Sequence, residues 1–165
     1  MLMVVTVRAA NVSDQQFLES MFVEAALWDP GMARQTLASL LRVPQLRPYF
    51  VDGGRPSDVA LVASAAADRS VGAAWYRFFS LQEPGFGFVD QSIPELGIAV
   101  VKEWRGRSIG TTLLKELIST ARTRRCSGLS LSVSAANPAR RLYQQCGFSK
   151  VGEAGSSWTM LARLL

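Results

Sequence analysis

Residues 95–112 bring together two carboxylates, two arginines and three glycines, with the arginines and two of the glycines in a spacing suited to anion binding. An apolar strand expected over 96–101 runs into the basic turn Trp104-Arg105-Gly106-Arg107-Ser108-Ile109-Gly110, and a helix opens directly after it. Ile109, Leu113, Leu114, Leu117, Ile118 and Ala121 recur at helical spacing and mark its buried face. The first N–H groups of a helix have no internal partner, and the helix dipole adds partial positive charge there. A strand, a glycine-bearing basic turn and a helix N-terminus together form an anion cradle, and a diphosphate is its natural occupant.

The acid–base repertoire is narrow. The chain has no histidine, which excludes a Ser-His-Asp triad, a Cys-His pair and histidine-ligated zinc. A general acid or base must therefore be Asp, Glu, Tyr, Lys, Cys, a terminal amine or water. Cys126 and Cys146 have no metal-like spacing and read as free, partly buried thiols. No metal is expected. The net charge of +5 is uneven: residues 1–101 hold seven Lys/Arg against ten Asp/Glu, and residues 102–150 hold ten against two. The basic excess thus coincides with the cradle. Arg122, Arg124 and Arg125 fit a solvated helix face equally well. No DNA- or RNA-binding motif accompanies the charge, so a small polyanionic cofactor is expected rather than nucleic acid.

These groups must be positioned by a sheet. Residues 4–8 read as a first strand, in an apolar N-terminus without a basic leader or cleavage site. Asn11 to Asp14 offer helix caps, and Phe17, Met21, Phe22 and Ala25 follow at helical spacing. Asp29-Pro30-Gly31 ends that helix, and a shorter one is expected over 32–41, before Pro44 and Pro48. This paired-helix region either shapes a pocket or simply packs on the sheet. Strands over 59–65 and 71–79 flank a turn at Ala67-Asp68-Arg69-Ser70. The segment 82–93, with Pro84, Gly85 and Gly87 among aromatics, is a loop that lines an acceptor site or caps the core. Residues 128–134 alternate Leu129, Leu131 and Val133 with serines, the pattern of a half-buried strand. A helix follows from Pro138 to about Gln145, then strands from Phe148 and over 157–164. The order predicts a mixed α/β sheet with no linker dividing it: one domain. No apolar run approaches the ~18 residues of a membrane span, so no membrane partner and a cytoplasmic location are expected.

Two of these segments resemble the GNAT superfamily of acyl-CoA-dependent N-acetyltransferases. Arg105-Gly106-Arg107-Ser108-Ile109-Gly110 is similar to its phosphate-binding signature, Gln or Arg, two residues, Gly, one residue, then Gly or Ala. The run from Asn137 through Arg140, Leu142 and Tyr143 to Gly147 and Phe148 is similar to its "N-x-A-x-x-L-Y-x-x-x-G-F". The resemblance covers residues 58–165 well and the N-terminal quarter by element order. It implies the GNAT fold: a mostly antiparallel sheet of six to seven strands, splayed at the fourth strand and flanked by about four helices. It implies acetyl-CoA as cofactor, with the diphosphate across the N–H groups of Arg107, Ser108, Ile109, Gly110 and Thr111. Arg105 and Arg107 would add charge, Gly106 close approach, and Ile98, Ala99 and Val100 main-chain pairing to the pantetheine arm. The signature's first glycine is Ser108 here. A left-handed backbone would strain a serine, whereas a helical one costs little; the position at a helix start favours the helical conformation.

The resemblance also assigns roles. Acetyl transfer requires a neutral amine, a base or water chain for its proton, oxyanion donors and an acid for the leaving thiolate. Tyr143 matches the family tyrosine that serves as that acid. Glu95, the only acid between Asp90 and Glu103, matches the position where several members place the base; Asp90 is the reserve. The simpler readings are a core tyrosine and a strand-edge carboxylate. Asn137 touches the cofactor in the family and also suits a helix cap. The oxyanion donor is expected to be a main-chain N–H near Val100. Cys146, near a helix C-terminus, is not expected to act.

The expected function is direct acetyl transfer to the amine of a small molecule. The acidic balance of residues 1–101 favours a cationic amine, and Trp28, Trp75, Phe86 and Phe88 are candidate apolar walls. Acetylation of a protein or peptide amine is the alternative acceptor reading. A non-catalytic acyl-CoA sensor on the same fold is the alternative class, and homodimerisation stays open. A mononucleotide site would need a lysine that this turn lacks.

Overall fold

The computed structural model describes residues 3–165, so Met1 and Leu2 of the apolar N-terminus lie outside the described residues. The strands are β1 (Thr6–Ala9), β2 (Val59–Ala65), β3 (Arg69–Arg77), β4 (Glu95–Val100), β5 (Gly128–Ser134), β6 (Ser149–Ala154) and β7 (Ser157–Arg163). They form a single sheet in the order β1-β2-β3-β4-β5-β7-β6. Every neighbour pair is antiparallel except β4 with β5. The helices are α1 (Gln15–Ala26), α2 (Leu37–Leu40), α3 (Ile109–Thr123) and α4 (Ala139–Gln145). The chain adopts the expected mixed α/β architecture; against an expectation of six to seven strands and about four helices, the described residues form seven strands and four α-helices.

The parallel joint organises the molecule. β4 pairs with β3 from Glu95 to Val100, and β5 pairs with β7 from Gly128 to Ser134. Between them a single register pair, Glu95 with Ser130, holds the sheet, closed by Ser130 N–H donating to Pro94 O at 3.0 Å. Beyond that point the two strands part. Each has a full ladder on one side and an open edge on the other.

The two faces are covered differently. Leu113, Leu114 and Leu117 of α3 are fully buried against a cluster that includes Ala74, Tyr76, Leu96, Leu129 and Leu131. On the opposite face Met21 of α1 packs on Ala73 and Ala99, beside Trp75. Alternation along the strands therefore assigns Glu95, Gly97 and Ala99 of β4, with Trp75 and Arg77 of β3, to the α1 face.

Three expectations are corrected. The second helix is one turn, not ten residues: Thr36 accepts Ser39 N–H at 3.1 Å and starts it late. β5 is not half-buried. Ser130 is fully buried because the loop at Gly87 lies on the serine face, where an added Cβ would come within 2.4 Å of Leu131 C. Ser108 is not helical; it has φ 61° and ψ 14°, the left-handed region. A serine there carries strain on the order of 1 kcal/mol. The reason is geometric: the turn from Arg105 must reverse before α3 can start, and Gly106, also at positive φ, makes only part of that reversal.

Candidate active site

A cavity of about 1020 Å³ runs through the joint between β4 and β5, bounded by α1, the cradle turn, α4 and the β7 edge. Its polar end is the cradle. From Gly106 to Thr111, six successive main-chain N–H groups have no acceptor among the described residues; the first bond of the turn is Thr112 N–H to Ser108 O at 3.0 Å. Gly110 of this run faces the cavity. Orphaned donors at the start of a 15-residue helix form a polarised site for phosphate oxygens. The two arginines part company. Arg105 lines the cavity, donating from Nε to Val100 O at 2.9 Å and from Nη2 to Glu24 Oε2 at 3.2 Å. Arg107 turns away, with its guanidinium 4.9 Å from the centre of the Trp104 ring and Nη1 against Met3 Sδ. Its charge is available only at longer range.

The open edge of β4 forms the middle. Val101 N–H donates to Val71 O, so alternation turns the main-chain groups of Ile98 and Val100 toward the gap and those of Ala99 toward β3. Of the three residues expected to pair with an extended ligand arm, two therefore present hydrogen-bonding groups there. Asn137 lines the same stretch while its Oδ1 caps Ala139 N–H at 2.9 Å, so capping leaves its Nδ2 for the cavity. Tyr143 is buried on α4 and lines the cavity, its ring edge-on to Phe148. Its hydroxyl makes no hydrogen bond among the described residues, yet it is not one of the sealed, unsatisfied polar atoms. The Tyr143 ring belongs to the buried core cluster, while the residue also lines the cavity. Burial pushes its pKa well above the ordinary value, so the phenol stays protonated.

Glu95 closes the far end. It is 5 % exposed. Oε1 accepts from the Tyr49 hydroxyl at 2.6 Å and from Gly87 N–H at 3.0 Å, while Oε2 has no partner. Gly85 fits against Oε2, where an added Cβ would sit 1.9 Å away. Burial pushes the carboxyl up to about 7, against the opposing pull of the Tyr49 and Gly87 bonds. Asp90 is exposed and tied to Ser92, outside the cavity lining. Cys146 is half-buried and does not line the cavity.

Sequence reasoning missed Tyr49. Its hydroxyl donates to Glu95 and accepts from Phe86 N–H at 2.7 Å, tying the 82–93 loop to the sheet. It sits 46 residues from Glu95, in an unremarked Pro48-Tyr49-Phe50 run with no local signature of such a role. Phe22, read from the sequence only as part of a helix face, and Leu46 join Trp28, Trp75 and Phe86 in the apolar wall; Phe88 does not reach it. The acids of residues 1–101 are mostly elsewhere, and only Glu24 and Glu95 line the cavity.

Residues 46–148 match the sequence model of the Acetyltransferase (GNAT) family, and the chain belongs to that family. No curated protein matches the sequence. Solved structures do. A ribosomal-protein-alanine N-acetyltransferase from Brucella melitensis is 28% identical, covering 96% of this chain and 99% of its own, with a TM-score of 0.66. The paia N-acetyltransferase from Thermoplasma acidophilum, solved with coenzyme A, superposes with a TM-score of 0.70 at 18% identity, over 98% of this chain and 99% of its own. A Salmonella typhimurium protein, yncA, solved with its cofactor acetyl-CoA, gives 0.67 at 19% identity, over 98% and 95%. The last two share the fold. No helix among the described residues is long and apolar enough to cross a membrane.

Proposed function

We propose that this protein transfers the acetyl group of acetyl-CoA directly to the amine of a small molecule bound beside β4. One observation carries the reading: a single cavity is lined by Gly110 of the orphaned N–H run, the open edge of β4 and the unpartnered Tyr143. Bound acetyl-CoA supplies a thioester; the amine nitrogen forms the amide bond as the C–S bond breaks, one proton leaves the nitrogen, and the sulphur leaves as a thiol. The N–H groups of residues 107–111 hold the diphosphate, with Arg105 beside them, and the edge groups of Ile98 and Val100 hold the peptide-like arm. Val100 N–H, on the open edge, is the oxyanion donor. Tyr143, kept protonated by burial, gives its proton to the departing sulphur. Glu95, at the end of the cavity it lines, is the base for the proton of the amine, which reaches the carboxylate through water.

A second acceptor reading, a protein N-terminus, is favoured by the Brucella melitensis neighbour, which is a ribosomal-protein-alanine N-acetyltransferase. Amine-dependent release of thiol from acetyl-CoA tests the reaction, with Glu95→Gln and Tyr143→Phe as variants. Loss of about 10²–10⁴-fold in each is the expected result for acid–base residues. Full activity in both variants would assign these side chains to packing alone.

A further inference from the structure

The acceptor half of the cavity has a composition that selects among amines, an inference that rests on the acetyl-transfer reading. Its walls are rings: Phe22, Trp28, Tyr49, Trp75 and Phe86. They are braced against one another, with Phe22 5.9 Å from Tyr49 and 6.4 Å from Trp75, and Tyr49 stacked on Phe86 at 6.2 Å. The floor is also aromatic. An added Cβ on Gly97 would meet the Trp75 indole at 2.6 Å, so the absent side chain lets the indole lie on the β4 main chain.

The charges on this cavity are paired or sealed off. Three charged residues line it, Glu24, Glu95 and Arg105. Glu24 accepts from Arg34 at 2.6 Å through one oxygen and from Arg105 at 3.2 Å through the other. Arg105 is further held by Val100 O, and it lies on the cradle side of Glu24. Oε1 of Glu95 is taken by Tyr49 and Gly87 N–H, and Oε2 is sealed beneath Gly85. Among the described residues no free cation faces the aromatic wall to receive an acceptor carboxylate, and no free carboxylate to receive a second ammonium group. An unpaired charge buried there would lose its hydration without replacement.

We infer that the acceptor is a monoamine with an aromatic body and no second charge, an arylalkylamine, seated with its ring among Phe22, Trp75 and Phe86 and its nitrogen toward the open edge of β4. In the transfer it exchanges one N–H for the acetyl carbon, with the proton leaving and the thiol released. The amino acids, polyamines and peptide N-termini that share its amine are disfavoured by their carboxylate, their extra ammonium groups or their main chain.

Four probes separate these classes: 2-phenylethylamine, phenylalanine, 1,4-diaminobutane and an alanine-terminated tetrapeptide. Each is titrated into the protein without cofactor, following tryptophan emission, since Trp28 and Trp75 line the site. The same probes are then assayed for thiol release with acetyl-CoA. Saturable quenching by 2-phenylethylamine, with kcat/KM at least about tenfold above the other three, is the expected result. Phe22→Ala and the more exposed Phe86→Ala raise both its apparent Kd and its KM, about tenfold, while acetyl-CoA affinity holds. Preference for the diamine, the peptide or phenylalanine would overturn the arylalkylamine assignment and leave acetyl transfer standing. Quenching by 2-phenylethylamine without thiol release from any probe would instead strike the acetyl-transfer reading.

Discussion

Arg77 and Glu95 stand directly opposite each other on β3 and β4, with side chains on the same face, and do not form an ion pair. Both reach to the segment 47–58. Arg77 forks onto Asp58 at 2.6 and 3.0 Å and donates to the carbonyls of Pro48, Val51 and Asp52. Glu95 takes the hydroxyl of Tyr49 between them. Two charges of opposite sign thus grip one irregular segment rather than neutralise each other, and that segment contributes Tyr49 to the lining of the candidate site. Arg77→Ala removes a buried guanidinium from half-buried Asp58 and from the three carbonyls it bridges. The expected loss is about 3–5 kcal/mol, read as a lower denaturation midpoint. Arg77→Lys cannot reproduce the planar fork and recovers only part of it. A loss under ~1 kcal/mol in Arg77→Ala would show that the segment is held by other contacts.

The Tyr49–Glu95 bond sets a pH dependence. The carboxyl of Glu95 titrates near 7, raised by burial, so kcat/KM is expected to rise as pH increases through that value and the base loses its proton. Tyr49 donates to the charged form. Tyr49→Phe therefore moves the acid limb to higher pH, by about one unit for a charge-assisted bond. A merely structural tyrosine would lower activity without moving the limb. Stability carries the opposite sign: a folded-state pKa above the ordinary 4.5 means that stability present below 4.5 is lost as pH rises through about 7. Glu95→Gln abolishes that slope, which a series of denaturation midpoints across pH 4–8 would reveal.

Ser108 occupies a glycine's conformation. Ser108→Gly removes left-handed strain of about 1–2 kcal/mol and gives back about 0.5–1 kcal/mol through unfolded-state entropy. The expected net is a modest rise in melting temperature, about 1–3 °C for a chain of this size. A fall would mean that the serine hydroxyl contributes more than the backbone costs.

Gly97 is required by its neighbour. A Cβ there would overlap the Trp75 indole, so Gly97→Ala must tilt the ring off β4. We expect KM for the acceptor to rise about tenfold or more with little change in acetyl-CoA affinity, because the cradle lies at the other end of the cavity. Equal loss of both affinities would place the damage in the β4 edge itself.

What the sequence revealed followed locality. The cradle was legible because its strand, turn and helix are consecutive, and the apolar face of α3 repeats in register with its buried residues. Tyr143 and Asn137 were named together by one short run, residues 137–148, built around a single helix. The environment of Glu95 was not, because its partners Tyr49 and Gly87 come from two irregular segments that meet only after the sheet forms. The same loop explains why alternating serines in β5 failed to signal burial: they are covered by backbone at Gly87 rather than by apolar side chains. At Ser108 a helical continuation was the cheaper local choice, and the reversal demanded by the turn overrode it.

Calorimetric titration of the purified protein with acetyl-CoA, beside dephospho-CoA and ADP, tests the central claim most directly. The account predicts saturable one-site binding of acetyl-CoA in the micromolar range, about −8 kcal/mol, tighter than ADP because the pantetheine arm adds the β4 edge to the diphosphate cradle. Absence of heat together with absence of a thermal shift at millimolar acetyl-CoA would contradict it, since six orphaned N–H groups beside an open strand edge would then have no such ligand.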